Sequence, residues 1–194
     1  MMIPKILNIG SGKDFREECI NLDENVEWLP DIVCDFGKPL KEEGFKVYKT
    51  ARFGEIKLEK GKFERIIAND VLEHIPDLKA CMKNCLDLLR VGGVMDIIVP
   101  YDLSLGAWQD PTHVRAFNQN SWLYFTEWSW YLGWHKEKFF LEKLEYGLSG
   151  LGKNMEDQGA NLEALINIPR AVDRMRATMK KIIAPVETKG GHNG

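Results

Sequence analysis

The stretch Lys5–Asp23, KILNIGSGKDFREECINLD, constrains this chain more than any other. Ile6, Leu7 and Ile9 read as a short buried strand, Gly10-Ser11-Gly12 as a turn, and the residues up to Asp23 as a second apolar strand. Glycines at the carboxyl end of a first strand let the backbone curl and approach a ligand, because no Cβ intervenes. A carboxylate closing the next strand only accepts hydrogen bonds, which suits two vicinal ribose hydroxyls. The pairing points to a site for a nucleoside-bearing cofactor. About eight residues join the two strands, below the ~10–12 of a full crossover, so Lys13 to Glu18 has room for one or two helical turns.

The same logic extends along the chain. Asp31-Ile-Val-Cys-Asp35 reads as a third short strand after Pro30, again ending on an acid. Three strand tips carrying the glycines, Asp23 and Asp35 form one edge of a cleft, where open parallel sheets bind ligands. Phe36 to Lys62 gives no firm element. Ile66-Ile67-Ala68 is a buried strand, followed by Asn69-Asp70 as a capping pair. Pro76-Asp77 opens a helix with Leu78, Cys81, Met82, Cys85, Leu86 and Leu89 at 3–4 spacing, stopping at Gly92-Gly93. Val94 to Val99 is a fifth strand. Strand, helix and strand in alternation predict an α/β fold with a parallel sheet.

Beyond residue 100 the pattern is looser. Asn118 is placed to cap a helix through Trp122, Leu123 and Phe125. Phe139–Tyr146 and Leu162–Ile168 read as two last strands around a glycine-rich loop, 147–161. Pro169 then opens a C-terminal helix with Val172, Met175, Met179, Ile182 and Ile183 on one side. Residues 1–186 are expected to form a single domain and 187–194 a disordered tail.

Charge and cysteine usage narrow the setting. A net charge of −3 gives no whole-surface attraction for a polyanion. Arg170, Arg174, Arg176, Lys180 and Lys181, with Asp173 among them, read as a solvated helix face, so a nucleic-acid partner is not expected. No apolar run approaches the about 18–20 residues of a membrane span, and the N-terminal MMIPKILNIG lacks a signal-peptide pattern. Cys19, Cys34, Cys81 and Cys85 include no CxxC and read as buried thiols, which places the chain in the reducing cytoplasm.

The blocks LNIGSGK, INLD, DIVCDF, FERIIANDVLEHIPD, LRVGGVMDIIVP and QDPTHVRAF, in that order, resemble the class I S-adenosylmethionine-dependent methyltransferases, most closely small members with a shortened first helix. The resemblance covers Lys5 to about Phe125. It implies a Rossmann-like sheet of seven mostly parallel strands, order 3214576 with strand 7 antiparallel, and helices on both faces. It also implies S-adenosyl-L-methionine as cofactor. Gly10, Ser11 and Gly12 fall on the motif that passes the methionine part. Asp23 matches the ribose acid, and Asp35 the residue near the adenine amino group, with Phe36 packing on the ring. Asn69, Asp70, Val71 and Leu72 match the segment beneath the sulfonium. Asn8 and Asp14 depart from it, standing where an acid and a third glycine are common.

On the acceptor side, the loop after strand five holds Trp108, Asp110, His113 and Arg115. Histidine is the residue whose ordinary titration suits general-base work, so His113 is the candidate base, and Arg115 offers a fork of donors to a carboxylate or phosphate. Asp110 and Trp108 are acceptor-side candidates, and aromatics of 122–140 could line a pocket or simply pack. His74 reads as a histidine bound to nearby backbone. Asp110 with His113 lacks a third ligand, so no metal site is expected. The implied chemistry is transfer of a sulfonium methyl to an oxygen or nitrogen of a small-molecule or sugar-like acceptor. The alternatives are a non-catalytic relative acting through a partner, or a dinucleotide oxidoreductase. The latter is disfavoured because Phe15 stands where GxGxxG needs its later glycine. Oligomeric state is not legible.

Overall fold

In the computed structural model, residues 3–40 and 46–185 are described, and the expected tail 187–194 lies outside them. Strands β1 (Ile6–Ile9), β2 (Ile20–Asp23), β3 (Ile32–Val33), β6 (Phe63–Asn69), β7 (Leu89–Pro100), β8 (Glu137–Leu148) and β9 (Val172–Ile183) build one seven-stranded sheet. Its order is β3-β2-β1-β6-β7-β9-β8. The pairs from β3 to β7 are parallel, while β9 runs antiparallel to both β7 and β8. Counted along the sheet strands alone, this is the 3214576 order with strand 7 reversed. Strands β4 (Val47–Thr50) and β5 (Gly54–Lys57) make a separate hairpin, within the stretch Phe36 to Lys62 that carries no firm sequence signal.

The side-chain period of two divides the sheet into unlike faces. Leu7, Ile9, Ile20, Leu22, Ile66, Ala68, Met95, Ile97, Val99, Met175, Ala177 and Met179 all point into one core. Helix α1 (Leu78–Leu88) covers that face with Cys81, Met82, Cys85 and Leu86. Asp77 caps it, its side chain accepting from the Ala80 N–H. On the other face Arg65, Asp96, Ile98, Arg174, Arg176 and Thr178 are half-buried or exposed, so helical cover is one-sided in this half of the sheet. The cause at β1–β2 is chain length: the connector holds no helix, contrary to the one or two turns expected. Side-chain amides hold it instead. Asn8 Nδ2 donates to the Asp14 carbonyl at 2.6 Å, Asn21 Nδ2 donates to the Arg16 carbonyl at 2.8 Å, and Asn21 Oδ1 accepts from the Arg16 N–H at 3.0 Å.

Five further expectations change. The C-terminal helix is strand β9. Met175, Ala177, Met179 and Lys181 alternate inward, and Lys181 is buried against Glu137 at 3.2 Å. Leu162–Ile168 is not a strand: Leu162–Leu165 form a short helical turn capped by Asn161, whose side chain accepts from the Ala164 N–H. The loop 147–161 contains a helix over Gly150–Asp157, capped by Ser149. The Gly92-Gly93 pair lies within β7, because α1 already ends at Leu88. At 119–125 the capped segment is a 3₁₀ helix, with Asn118 and Ser121 forming a reciprocal capping box.

Candidate active site at the carboxyl edge of the sheet

The glycine turn and the first acid are joined directly. Asp23 Oδ2 accepts from the Gly12 N–H at 2.8 Å, and Oδ1 accepts from the Asn25 N–H at 2.9 Å. The Ser11 N–H donates to the Leu22 carbonyl at 3.1 Å, tying the turn to β2 once more. Gly10 has φ +58°, and a Cβ there would collide with the Val71 side chain. Only glycine meets both demands, so the β1 turn seats against the segment leaving β6. In that segment Asn69 Nδ2 donates to Asp14 Oδ2 at 3.0 Å, and Asp70 sits at φ +49°, a strained conformation for a non-glycine residue. Asp14 also pairs with Arg16 at 2.7 Å, and the Arg16 hydrogen bond holds its carboxyl below the usual carboxylate range. Asn8 is 1% exposed and spends its amide on the connector and on Asn21.

Asp35 lies one strand over. Its Oδ1 accepts from the Gly37 N–H at 3.0 Å, and its Oδ2 pairs with Lys38 at 3.1 Å. Phe36, expected to cover an adenine ring, is instead 5% exposed and part of the core. Its carbonyl accepts from Asn84 Nδ2 at 3.0 Å. Ile75, which the sequence reading passed over, comes within 3.1 Å of where a Cβ on Gly37 would stand. It brings an apolar side chain to the β3 tip.

The acceptor-side residues are arranged otherwise than expected. A cavity of about 270 Å³ is lined by Asp70, Leu105, Gly106, Gln109, Asp173 and Arg174, among others. Asp173 and Arg174 reach it because β9 starts at this edge, with Arg174 opposite Pro100. Trp108 is 66% exposed and not part of that lining. Asp110 Oδ1 accepts from the Thr112 N–H at 2.8 Å and the Thr112 hydroxyl at 2.6 Å, closing a turn. Arg115 Nη2 donates to the Pro76 carbonyl at 2.7 Å, bracing the start of α1, and burial lowers its pKa. The aromatics divide: Trp122, Phe125 and Trp134 are core, while Trp128, Trp130 and Tyr131 face outward.

His113 is turned inward. Its Nδ1 is 3.0 Å from the Ala107 carbonyl, and Nε2 is 4.0 Å from Glu73 Oε1. His74 meets it edge to face at 4.6 Å between ring centroids, and His74 Nδ1 lies 2.9 Å from Thr112 Oγ1. Glu73 is 1% exposed, and neither carboxylate oxygen has a hydrogen-bond partner among the described residues. Burial pushes its carboxyl up to about 7. Nothing in the spacing of the sequence singled out Glu73. The signal lay in its place between Asp70 and His74 on a tightly turned segment.

Comparison with known proteins bears on the fold. Residues 22–97 match the methyltransferase domain family. A SAM-dependent methyltransferase from Archaeoglobus fulgidus superposes with TM-score 0.60 at 18% identity, over 92% of this chain and 86% of that one. A chain of the complex between the Haloferax volcanii Trm112 methyltransferase activator and a methyltransferase gives TM-score 0.54 at 11% identity, covering 93% and 84%. The [4+2]-cyclase SpnF gives 0.53 at 13% identity, covering 92% and 75%. Comparison with curated protein sequences gives no match. The chain thus shares the fold of these solved methyltransferases, and residues 22–97 carry the match to the methyltransferase domain family. The Archaeoglobus fulgidus structure and one from Mesorhizobium loti are described as S-adenosylmethionine-dependent.

Proposed function

We propose that this chain binds S-adenosyl-L-methionine across the tips of β1, β2 and β3 and transfers its methyl group to an oxygen or nitrogen of a small-molecule or sugar-like acceptor. The observation that carries the reading is the 2.8 Å bond from the Gly12 N–H to Asp23, which sets glycine turn and ribose acid side by side. Asp35 receives the adenine end, and Asn69, Asp70 and Val71 run beneath the sulfonium. The acceptor enters the cavity of about 270 Å³, where Asp70, Gln109, Asp173 and Arg174 offer polar contacts. The sulfonium is already activated, so the protein acts chiefly by positioning, which alone supplies about 7–11 kcal/mol. His113 does not line this cavity, and the proposal does not assign it the role of open base.

The four cysteines form no disulfide, which supports a reducing, cytoplasmic setting. A second reading, cofactor binding without turnover, is supported by Asn8 and Asp14, whose side chains serve the connector. Calorimetric titration with S-adenosylhomocysteine against NADH, followed by methyl-transfer assays on a panel of alcohols, amines and sugars, tests both. Tight NADH binding with no homocysteine-adduct binding overturns the class of chemistry. Binding without transfer to any acceptor favours the second reading.

A further inference from the structure

The buried Glu73 carboxylate poses a problem that the methyl-transfer reading does not solve. A buried carboxylate without donors is costly and is kept only when a partner compensates it. Among the described residues no arginine, lysine or side-chain amide hydrogen-bonds either oxygen, and the residue's own backbone amide only partly offsets the burial. What faces it is imidazole. The Glu73 carboxylate and one ring nitrogen each of His74 and His113 lie within 4.8 Å of one another.

Hydrogen-bond bookkeeping sets the histidine tautomers. His113 Nδ1 faces the Ala107 carbonyl, an acceptor only, so Nδ1 carries the proton and Nε2 presents its lone pair towards Glu73. The Thr112 hydroxyl gives its proton to Asp110 at 2.6 Å, so towards His74 it acts as acceptor, and His74 Nδ1 is the protonated nitrogen. Each imidazole is thus anchored through one nitrogen, by a backbone carbonyl in one case and by a threonine backed by a carboxylate in the other. Outer partners of this kind are what orient metal-binding histidines and fix their tautomer.

We infer that Glu73, His74 and His113 form a binding site for a zinc-class divalent transition-metal ion. Two imidazoles and one carboxylate are a ligand set that such ions take, leaving a fourth position for water or an exogenous oxygen. Ligand distances of about 2.0–2.2 Å put donor atoms about 3.3–3.5 Å apart, so the three groups close by roughly an ångström around the ion. Such an ion neutralises the buried carboxylate and uses both lone-pair nitrogens. Asp110 and His113, the pair that the sequence alone offered, are joined only through Thr112 and His74, and Asp110 acts one step behind the ligands. The site lies on the same segment as Asp70, which lines the cavity of about 270 Å³.

The test is direct titration of the metal-stripped full chain with Zn²⁺ by calorimetry and with Co²⁺ by visible absorption, without S-adenosylmethionine. Its failure is therefore separate from failure of methyl transfer. Binding of one equivalent is expected, with an intense visible Co²⁺ band of low-coordinate N/O ligation. Glu73→Gln, which keeps the shape of the side chain, and His113→Ala are each expected to abolish it. Thr112→Val, at an exposed position, is expected to weaken it by about 10–100-fold, the cost of losing an outer partner. Melting curves of each variant establish that it folds. Absence of binding to the wild-type chain overturns the site. So does binding that survives Glu73→Gln and His113→Ala, or a Co²⁺ spectrum dominated by thiolate charge transfer.

Discussion

The two halves of the carboxyl edge differ in how fully their buried polar groups are satisfied. In the β1–β3 half every acid of the cleft is furnished with donors. Asp23 takes two backbone amides and Asp35 takes the Gly37 amide and Lys38; at the amino end of β3, Asp31 likewise takes the Asn21 amide and a two-pronged contact from Arg52 at 2.8 and 2.9 Å. In the half beyond β6, Asp110 is satisfied by Thr112, but several buried groups lack partners. Of the six buried side-chain polar atoms without partners among the described residues, five lie there, in Glu73, Asp102, Arg115 and Trp122. A satisfied network is preorganised and rigid, whereas unsatisfied groups mark where a ligand or water must arrive to complete the structure. On the proposed reading, the half that holds the cofactor is built in advance, and the half that receives the acceptor is completed on binding.

The largest test strikes the seam between the halves. Gly10→Val forces a β-branched side chain into φ +58° and into Val71. Strain and overpacking together are expected to cost about 3–4 kcal/mol, read by denaturant unfolding, with loss of cofactor binding. A variant of native stability would mean that the two halves are not locked through this contact.

Next comes the furnished side. Arg52→Ala leaves Asp31 buried without its cation, and a loss of about 2–3 kcal/mol is expected, below the full value for buried pairs because Arg52 keeps some solvent. Burial raises the Asp31 pKa, but the Arg52 and Asn21 hydrogen bonds outweigh it and the net shift is downward. The sign follows: this stability is present above the ordinary carboxylate pKa and is lost as pH falls through the depressed one. Thermal melts from about pH 3 to about pH 7 are therefore expected to show the acid limb at higher pH in Arg52→Ala than in the wild type. An unmoved limb would remove Asp31 from the account.

Asp23→Ala is expected to weaken S-adenosylhomocysteine binding by about 1–3 kcal/mol, measured by calorimetry in a folded variant. Unchanged affinity would strip the ribose role from Asp23. The smallest effect belongs to the unfurnished side. In metal-free protein, Glu73→Gln removes an uncompensated charge, and stability is expected to stay level or rise by up to about 1 kcal/mol. A clear loss of stability would show that Glu73 has a partner after all, and the contrast between the halves would fall.

The sequence was most readable where local signals and tertiary role coincide. The Gly10–Gly12 turn, the strand-end acids, the Asp77 cap and the Asn118 cap each carry a short-range signature, and each takes its expected place in the fold. Strand β9 was misread because Val172, Met175, Met179, Ile182 and Ile183 recur at helical spacing. Its true inward row includes Ala177 and Lys181, neither of which reads as a core residue. That misreading also hid Asp173 and Arg174 from the acceptor cavity. Glu73 and the inward turn of His113 were not legible for another reason. Their meeting depends on the loop after β7 folding back, with the Val114 N–H donating to the Glu73 carbonyl at 2.9 Å, a contact of long sequence separation.

Strand β9 also has a bearing on how the molecule comes into being. It is the last strand along the described chain yet lies in the interior of the sheet, and β8 has no hydrogen-bonded strand neighbour except β9. During synthesis, therefore, β8 leaves the ribosome with nothing to pair with, and the flank of β7 stays bare until residues 172–183 follow. The sheet closes by threading its latest-made segment into a waiting gap, a slow non-local step. A nascent chain stalled before residue 172 is consequently the species that chaperones and proteases should find most readily.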